Sequence, residues 1–307
     1  MVHFGKRYTY EEFMEEISGM EERWPQLLTV EEAGLSHDGR SIPGIRLGSA
    51  KECLICSGGI HGRESVNPVL LLRMIEDYCE SWEQEPLLEQ YGLYILPLMN
   101  PDGYEVALRG FGALKSPILR QAMRMKNQPH ETWKYNGRGV DINRNFPCSS
   151  YLPGNGSWFA ASENETKALM DVFQKHPDSI GYIDFHSRGR IIYYYRNAMT
   201  EAYNRRSSQF ARTMQELSHY EIGTKAEEFG TKTDGGNSVN YYSEQYQRPA
   251  LTVETVEDEA GFPLDASYQQ RSYEEIWRLP LAYLEEYQRL EQKEASPHPC
   301  FFEKRPV

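Results

Sequence analysis

The chain has 307 residues, 39% hydrophobic and 12% aromatic, which is enough to bury one large core and excludes wholesale disorder. Its 45 acidic and 33 basic residues leave a formal charge of -12, which argues against nucleic acid or an anionic membrane as the main partner. Apolar runs such as 69–72 and 94–99 fall far short of the ~18 residues of a membrane span. Five cysteines make an odd count, with Cys53 and Cys56 inside an apolar run, so a disulfide framework is not expected. The N-terminal residues lack the apolar core of a signal peptide, so the expected location is the cytoplasm.

In chain order, Thr9 and Glu12 form a capping box that starts a helix carrying Phe13, Ile17 and Met20 at helical spacing. Strand-like runs follow at 27–30, 42–47 and 53–56, with His37-Asp38-Gly39-Arg40 as a hairpin turn between the first two. A glycine-rich exit, Ser57-Gly58-Gly59-Ile60-His61-Gly62-Arg63-Glu64, leads to a helix opened by Pro68. A strand at 93–98 precedes a long polar stretch. The next helix starts near Ser162, with Glu165 completing a second capping box. Strands are expected at 180–185, 191–194 and 251–256, and helices at 211–218 and from Ile276 to Tyr287, the last started or kinked at Pro280. With no linker or repeat, one continuous domain over residues 1–307 is expected, without a pro-domain or a cell-wall-binding module. Alternating strands and helices imply an α/β fold whose sheet is covered on both faces, with ligand sites beyond the carboxyl ends of strands.

Candidate chemistry gathers at those ends. His61 and Glu64 sit three apart at a strand exit and suit Zn²⁺, although roughly one His-x-x-Glu arises by chance and a solvated loop fits equally. His186 closes an apolar strand, placed either for a metal or for a backbone carbonyl. Glu254 lies amid β-branched residues, where a buried acid needs a partner or a function, unless that strand face is exposed. The segment 136–147 packs Arg138, Arg144 and three asparagines around few apolar anchors. Its density of donors points to anion binding rather than to a surface loop.

Taken in order, His61-x-x-Glu64, Asn100-Pro101-Asp102-Gly103-Tyr104, Gly139-Val140-Asp141-Ile142-Asn143-Arg144-Asn145-Phe146-Pro147, His186-Ser187 and Glu254 resemble the zinc carboxypeptidase A family over residues 8 to 290. The resemblance implies a three-layer α/β/α sandwich around a twisted eight-stranded mixed sheet. It implies one zinc held by His61, Glu64 and His186, with Glu254 as general base toward the zinc-bound water. Asn143 and Arg144 match the pair that binds the terminal carboxylate of a peptide substrate, and Arg138 or Arg124 matches the arginine that polarises the scissile carbonyl.

Thr231 stands where digestive members carry a mobile tyrosine, and Tyr241 and Tyr242 are the candidates to replace it. The specificity pocket, expected over 237–246, has neither a clear buried acid nor an apolar base. Arg188, Arg190 and Arg196 follow His186 and suit either a solvated hairpin or an anion-rich substrate. Bacterial relatives with similar motifs cleave γ-D-glutamyl–diamino acid bonds of murein peptides, which makes that bond the leading alternative. A zinc deacylase of N-acyl amino acids and a non-catalytic peptide-binding member are the rival readings. No Gly-x-Ser-x-Gly elbow supports a serine hydrolase.

Overall fold

The computed structural model describes residues 1–154, 159–225 and 235–295. One sheet of eight strands contains β1 Leu28–Leu35, β2 Ser41–Leu47, β3 Cys53–Gly58, β4 Gly92–Leu96, β5 Ser179–Ser187, β6 Ile191–Tyr193, β7 Glu221–Ile222 and β8 Ala250–Thr255. The strand order is β1-β2-β4-β3-β5-β8-β6-β7. Neighbours β4, β3, β5 and β8 run parallel, whereas β1–β2, β2–β4 and β6–β8 are antiparallel. The helices are α1 Tyr10–Arg23, α2 Val66–Glu80, α3 Pro86–Gln90, α4 Pro101–Arg109, α5 Pro117–Arg124, α6 Asn164–Lys175, α7 Glu201–Ser218, α8 Ser238–Tyr246, α9 Tyr268–Ile276 and α10 Leu279–Ala295.

Side-chain alternation along the strands builds two cores. Leu54, Cys56, Ile183, Phe185, Leu251 and Val253 face a layer that includes α1, α2, α7, α9 and α10. Cys53, Ile55, Tyr182 and Ala250 face the opposite layer, packed with Leu169, Val172 and Phe173 of α6 and with Val239 and Tyr242 of α8. The mixed sheet of eight strands between two helical layers is the sandwich that the family resemblance implied. By the same alternation Ser57, Asp184, His186 and Glu254 share the α6/α8 face. Ser57 is level with Asp184, and His186 with Glu254, at the carboxyl ends of β3, β5 and β8.

The first capping box forms: Glu12 Oε2 accepts from the Thr9 N–H at 2.8 Å, and the Thr9 side chain accepts from the Glu12 N–H. The first hairpin turns through residues 37–40, where Gly39 takes φ +75°. The second capping box does not form. Glu163 is the N-cap of α6 without a side-chain cap bond, Ser162 Oγ donates to Glu163 Oε1 at 2.7 Å, and Glu165 is fully buried. Helix α7 starts ten residues before the expected 211, at Glu201, where the Thr200 side chain accepts from the Tyr203 N–H. The polar stretch after β4 contains α4 and α5. Cys53, Cys56, Cys79 and Cys148 are buried free thiols, and no helix among the described residues is long and apolar enough to cross a membrane.

Candidate active site

The loop after β3 is held by the Asn-Pro-Asp-Gly segment that opens α4. Asn100 caps the helix by accepting from the Gly103 N–H at 2.8 Å, while its Nδ2 donates to the carbonyls of Ile60 at 2.9 Å and Tyr135 at 3.1 Å. Ile60, immediately before His61, is thereby pinned. Gly62 must lack a side chain, because a Cβ there would lie 2.2 Å from the Gly103 carbonyl group. Asp102 points elsewhere: it accepts from Ser36 Oγ, the Asp38 N–H and Arg40 Nη1, bracing the β1–β2 turn.

His61, Glu64 and His186 converge. His61 Nδ1 lies 2.7 Å from Glu64 Oε1, and His186 Nδ1 lies 3.2 Å from Glu64 Oε2. One donor atom from each residue falls within 4.8 Å of the others. The Ser187 N–H also donates to Glu64 Oε2, at 3.0 Å, so β5 orients the acid. Behind each ring stands a second carboxylate. His61 Nε2 faces Asp141 Oδ1 at 3.2 Å, and His186 Nε2 faces Asp184 Oδ2 at 3.0 Å. A carboxylate only accepts, so each ring commits its Nε2 hydrogen to the carboxylate behind it and turns Nδ1 toward Glu64, where a proton or a cation must lie between them. Two imidazoles and one carboxylate converging in this way are the donor set of a catalytic zinc site, and the residues fit the ion.

The electrostatics agree. Burial lowers the pKa of His61, but Glu64 and Asp141 outweigh it and raise the value overall. Burial likewise works against His186, whose pKa is lifted well above the ordinary range by Asp184 and Glu64. Burial pushes Glu64 upward, yet the two imidazoles hold it down at about 2. A positive charge between these groups is strongly favoured. Glu254 is raised to about 7, chiefly by desolvation and also by the Glu64 carboxylate. Beyond it, Val256 sits at φ +61°, and its carbonyl accepts from the Gly189 N–H at 2.9 Å, locking the turn after β8 to the turn after β5.

Of the three asparagines in the 136–147 segment, two are internal braces. Asn136 Oδ1 accepts from the Arg138 and Val140 N–H groups, and Asn145 Nδ2 donates to Ser162 Oγ at 3.0 Å. Asn143 does face the site, with Nδ2 3.3 Å from His186 Nε2 and Oδ1 accepting from the Ser238 N–H at 3.1 Å. Arg144 is beside it, its Nη1 donating to the Asn143 carbonyl at 2.7 Å. Much of the donor density therefore folds the loop rather than binding an anion.

Other expectations change. Tyr242 is fully buried, with its hydroxyl 2.9 Å from Ser179 Oγ at the start of β5. That is seven residues before His186, roughly 23 Å away along the strand, so Tyr242 belongs to the core and not to the substrate surface. Tyr241 is half-buried against Phe146 and Phe173. Arg196 is buried and donates to the carbonyls of Tyr193, Tyr195 and Ala250, while Arg190 pairs with Glu275 at 3.0 Å. Arg188, two residues after His186, donates through Nη1 to the Ala260 carbonyl and lies 5.2 Å from the Phe262 ring centroid, with Arg63 4.1 Å from the same centroid. Arg124 is exposed on α5, and Arg138 lies 3.6 Å from Glu163. Thr231 lies outside the described residues.

Two residues that sequence reasoning missed stand close to the cluster. Asp184 is two positions before His186 in a strand, a spacing that could have revealed it. Lys134 gave no such signal; its Nζ lies 2.6 Å from Asp141 Oδ2, and its carbonyl accepts from the Gly62 N–H at 3.3 Å. A second His-Glu-Glu group, His37, Glu163 and Glu165, also gathers within 4.8 Å. There Asn136 Nδ2 donates to Glu163 at 2.8 Å and Glu165 at 3.1 Å, so the facing oxygens are already engaged.

Comparison with known proteins gives the family and the fold. The family model for zinc carboxypeptidase matches residues 11–279. Carboxypeptidase B of Helicoverpa zea is 29% identical over 192 residues, covering 56% of this chain and 42% of the relative. The chain thus spans less than half of that curated relative. Gamma-D-glutamyl-L-diamino acid endopeptidase 1 of Lysinibacillus sphaericus is 24% identical over 297 residues, covering 88% of this chain and 72% of the relative. Among solved structures, carboxypeptidase A from Helicoverpa armigera superposes with a TM-score of 0.77 at 22% identity, over 94% of this chain and 76% of that one, a likeness of fold.

Proposed function

The chain belongs to the zinc carboxypeptidase family, and from that premise we propose that it hydrolyses a peptide bond close to a carboxylate at the substrate's end. The observation that carries this reading is the convergence of His61, Glu64 and His186 beside Glu254. His61, Glu64 and His186 would hold zinc, which when bound supplies Lewis-acid activation of a water and of the scissile carbonyl. Glu254 accepts the proton of the attacking water and returns it to the leaving amine, a task suited to a carboxyl tuned near neutrality. Arg144 and Asn143 hold the substrate carboxylate and set its register against the metal ligands. We place the charge that faces the scissile carbonyl on Lys134 rather than on Arg138. Lys134 is one carboxylate removed from His61, whereas Arg138 is half-exposed and lies toward Glu163.

A second reading, cleavage of a γ-D-glutamyl–diamino acid bond, is favoured by one specific feature. The guanidiniums of Arg63 and Arg188 both lie over Phe262. Arg188 already donates through Nη1 to the Ala260 carbonyl and lies 3.9 Å from Asp258, so what faces a substrate carboxylate is the remaining edge of Arg188 together with Arg63, and murein peptides carry several carboxylates. Zinc-loaded protein assayed on peptides with free and amidated C-termini and on murein peptides, with a chelated control, tests both readings. Equal turnover of free and amidated peptides would remove the first, and no release of diamino acid from murein peptides would remove the second.

A further inference from the structure

Asp184 is a buried carboxylate on β5, 1% exposed, on the same strand face as His186. Parallel pairing sets Ser57 of β3 level with it, and α8 begins with Ser238 above it. Both hydroxyls donate to it, Ser57 Oγ to Oδ1 at 2.7 Å and Ser238 Oγ to Oδ2 at 2.6 Å. The third donor, also to Oδ2, is His186 Nε2 at 3.0 Å.

The two carboxylates behind the metal-binding rings differ in one respect. Asp141 is neutralised by an ion pair with Lys134 at 2.6 Å. Asp184 has no Lys or Arg partner among the described residues and pairs instead with His186. A buried carboxylate held by neutral hydroxyls is costly unless its charge is used. Here that charge falls on one imidazole, and two serines fix its direction. We infer that Asp184 is a positioning residue for the metal site: it locks His186 with hydrogen on Nε2, aims Nδ1 at the metal position and strengthens it as a donor. Through Ser238, whose N–H donates to Asn143 Oδ1 at 3.1 Å, the same residue also ties the metal ligand to the proposed carboxylate-binding loop.

This inference rests on the zinc assignment above, and its readout is metal affinity instead of turnover. Zinc dissociation constants of the protein and of Asp184→Asn, measured by competition with a chromogenic chelator, should differ by about 10- to 100-fold. The melting temperature of the metal-free Asn variant should stay near that of the parent, because the replacement is isosteric. Affinity within about threefold of the parent overturns the inference. Failure of the parent itself to bind zinc would sink the zinc assignment and this inference together, whereas tight parental binding with an unaffected variant removes this inference alone. If Asp184→Asn does not fold, Ser57→Ala decides: without one of the two hydroxyls that fix the carboxylate's direction, His186 is held less firmly and zinc should bind more weakly while the metal-free melting temperature stays near the parent's. Unchanged or tighter binding in that variant refutes the role.

Discussion

Glu254 lies directly beside His186 across the parallel β5–β8 pair. That register, and not any nearness in sequence, brings the proposed general base to the proposed metal ligands. Because both residues occupy the ends of buried strands, their separation is set by the sheet and does not depend on a mobile loop.

Glu254→Gln should therefore keep the fold and the zinc but lose turnover by a factor of about 10² to 10⁴. Zinc content by atomic absorption, together with kcat on a peptide substrate, checks this. A metal-loaded variant with substantial residual kcat would refute the assignment.

Lys134→Met should lower kcat by roughly 10² or more, the usual scale for losing a preorganised charge at the reacting carbonyl. Arg138→Gln, altering a side chain that is 47% exposed, should leave kcat near the parent value. Steady-state kinetics of the two variants, run in parallel, distinguishes them; the reverse ranking would return the role to Arg138.

Arg188→Gln should erode any preference for acidic over neutral substrates. For peptides that differ only by Glu or Gln next to the scissile bond, the ratio of kcat/KM should fall by roughly three- to fivefold, as expected for a partly exposed charge pair. Added salt should shrink the parental ratio in the same direction. A ratio insensitive to both changes argues that Arg188 only packs on Phe262.

Glu165 predicts a pH effect on stability. Burial raises it from 4.5 to about 7 despite nearby His37 and Asn136. Its contribution is fully present below about pH 4.5, where the carboxyl is protonated folded and unfolded, and is lost as pH rises through about 7. Glu165→Gln, neutral throughout, should be more stable than the parent at pH 8, by on the order of 2–3 kcal/mol, and nearly unchanged at pH 4.5. Urea unfolding at the two pH values measures the difference.

Local chemistry made much of this protein legible from its residues alone. The Thr9 capping box, the Gly39 turn and the strands bearing His186 and Glu254 follow from periodicity and short-range hydrogen bonding, which act within a few residues. The order of motifs from His61 to Glu254 pointed to the family for the same reason, since each motif is a local arrangement. What a side chain meets across the sheet was decided only by tertiary structure. Tyr242 is core because Ser179 and Phe173 close over it, and Arg196 is a brace because carbonyls of β6 and β8 reach it. Lys134 gained its place because Asp141 and Gly62 fold against it. The contacts that decide these roles, Tyr242 with Ser179, Arg196 with Ala250 and Gly62 with Lys134, join residues more than fifty apart in the chain, so no pattern within a short window contains them.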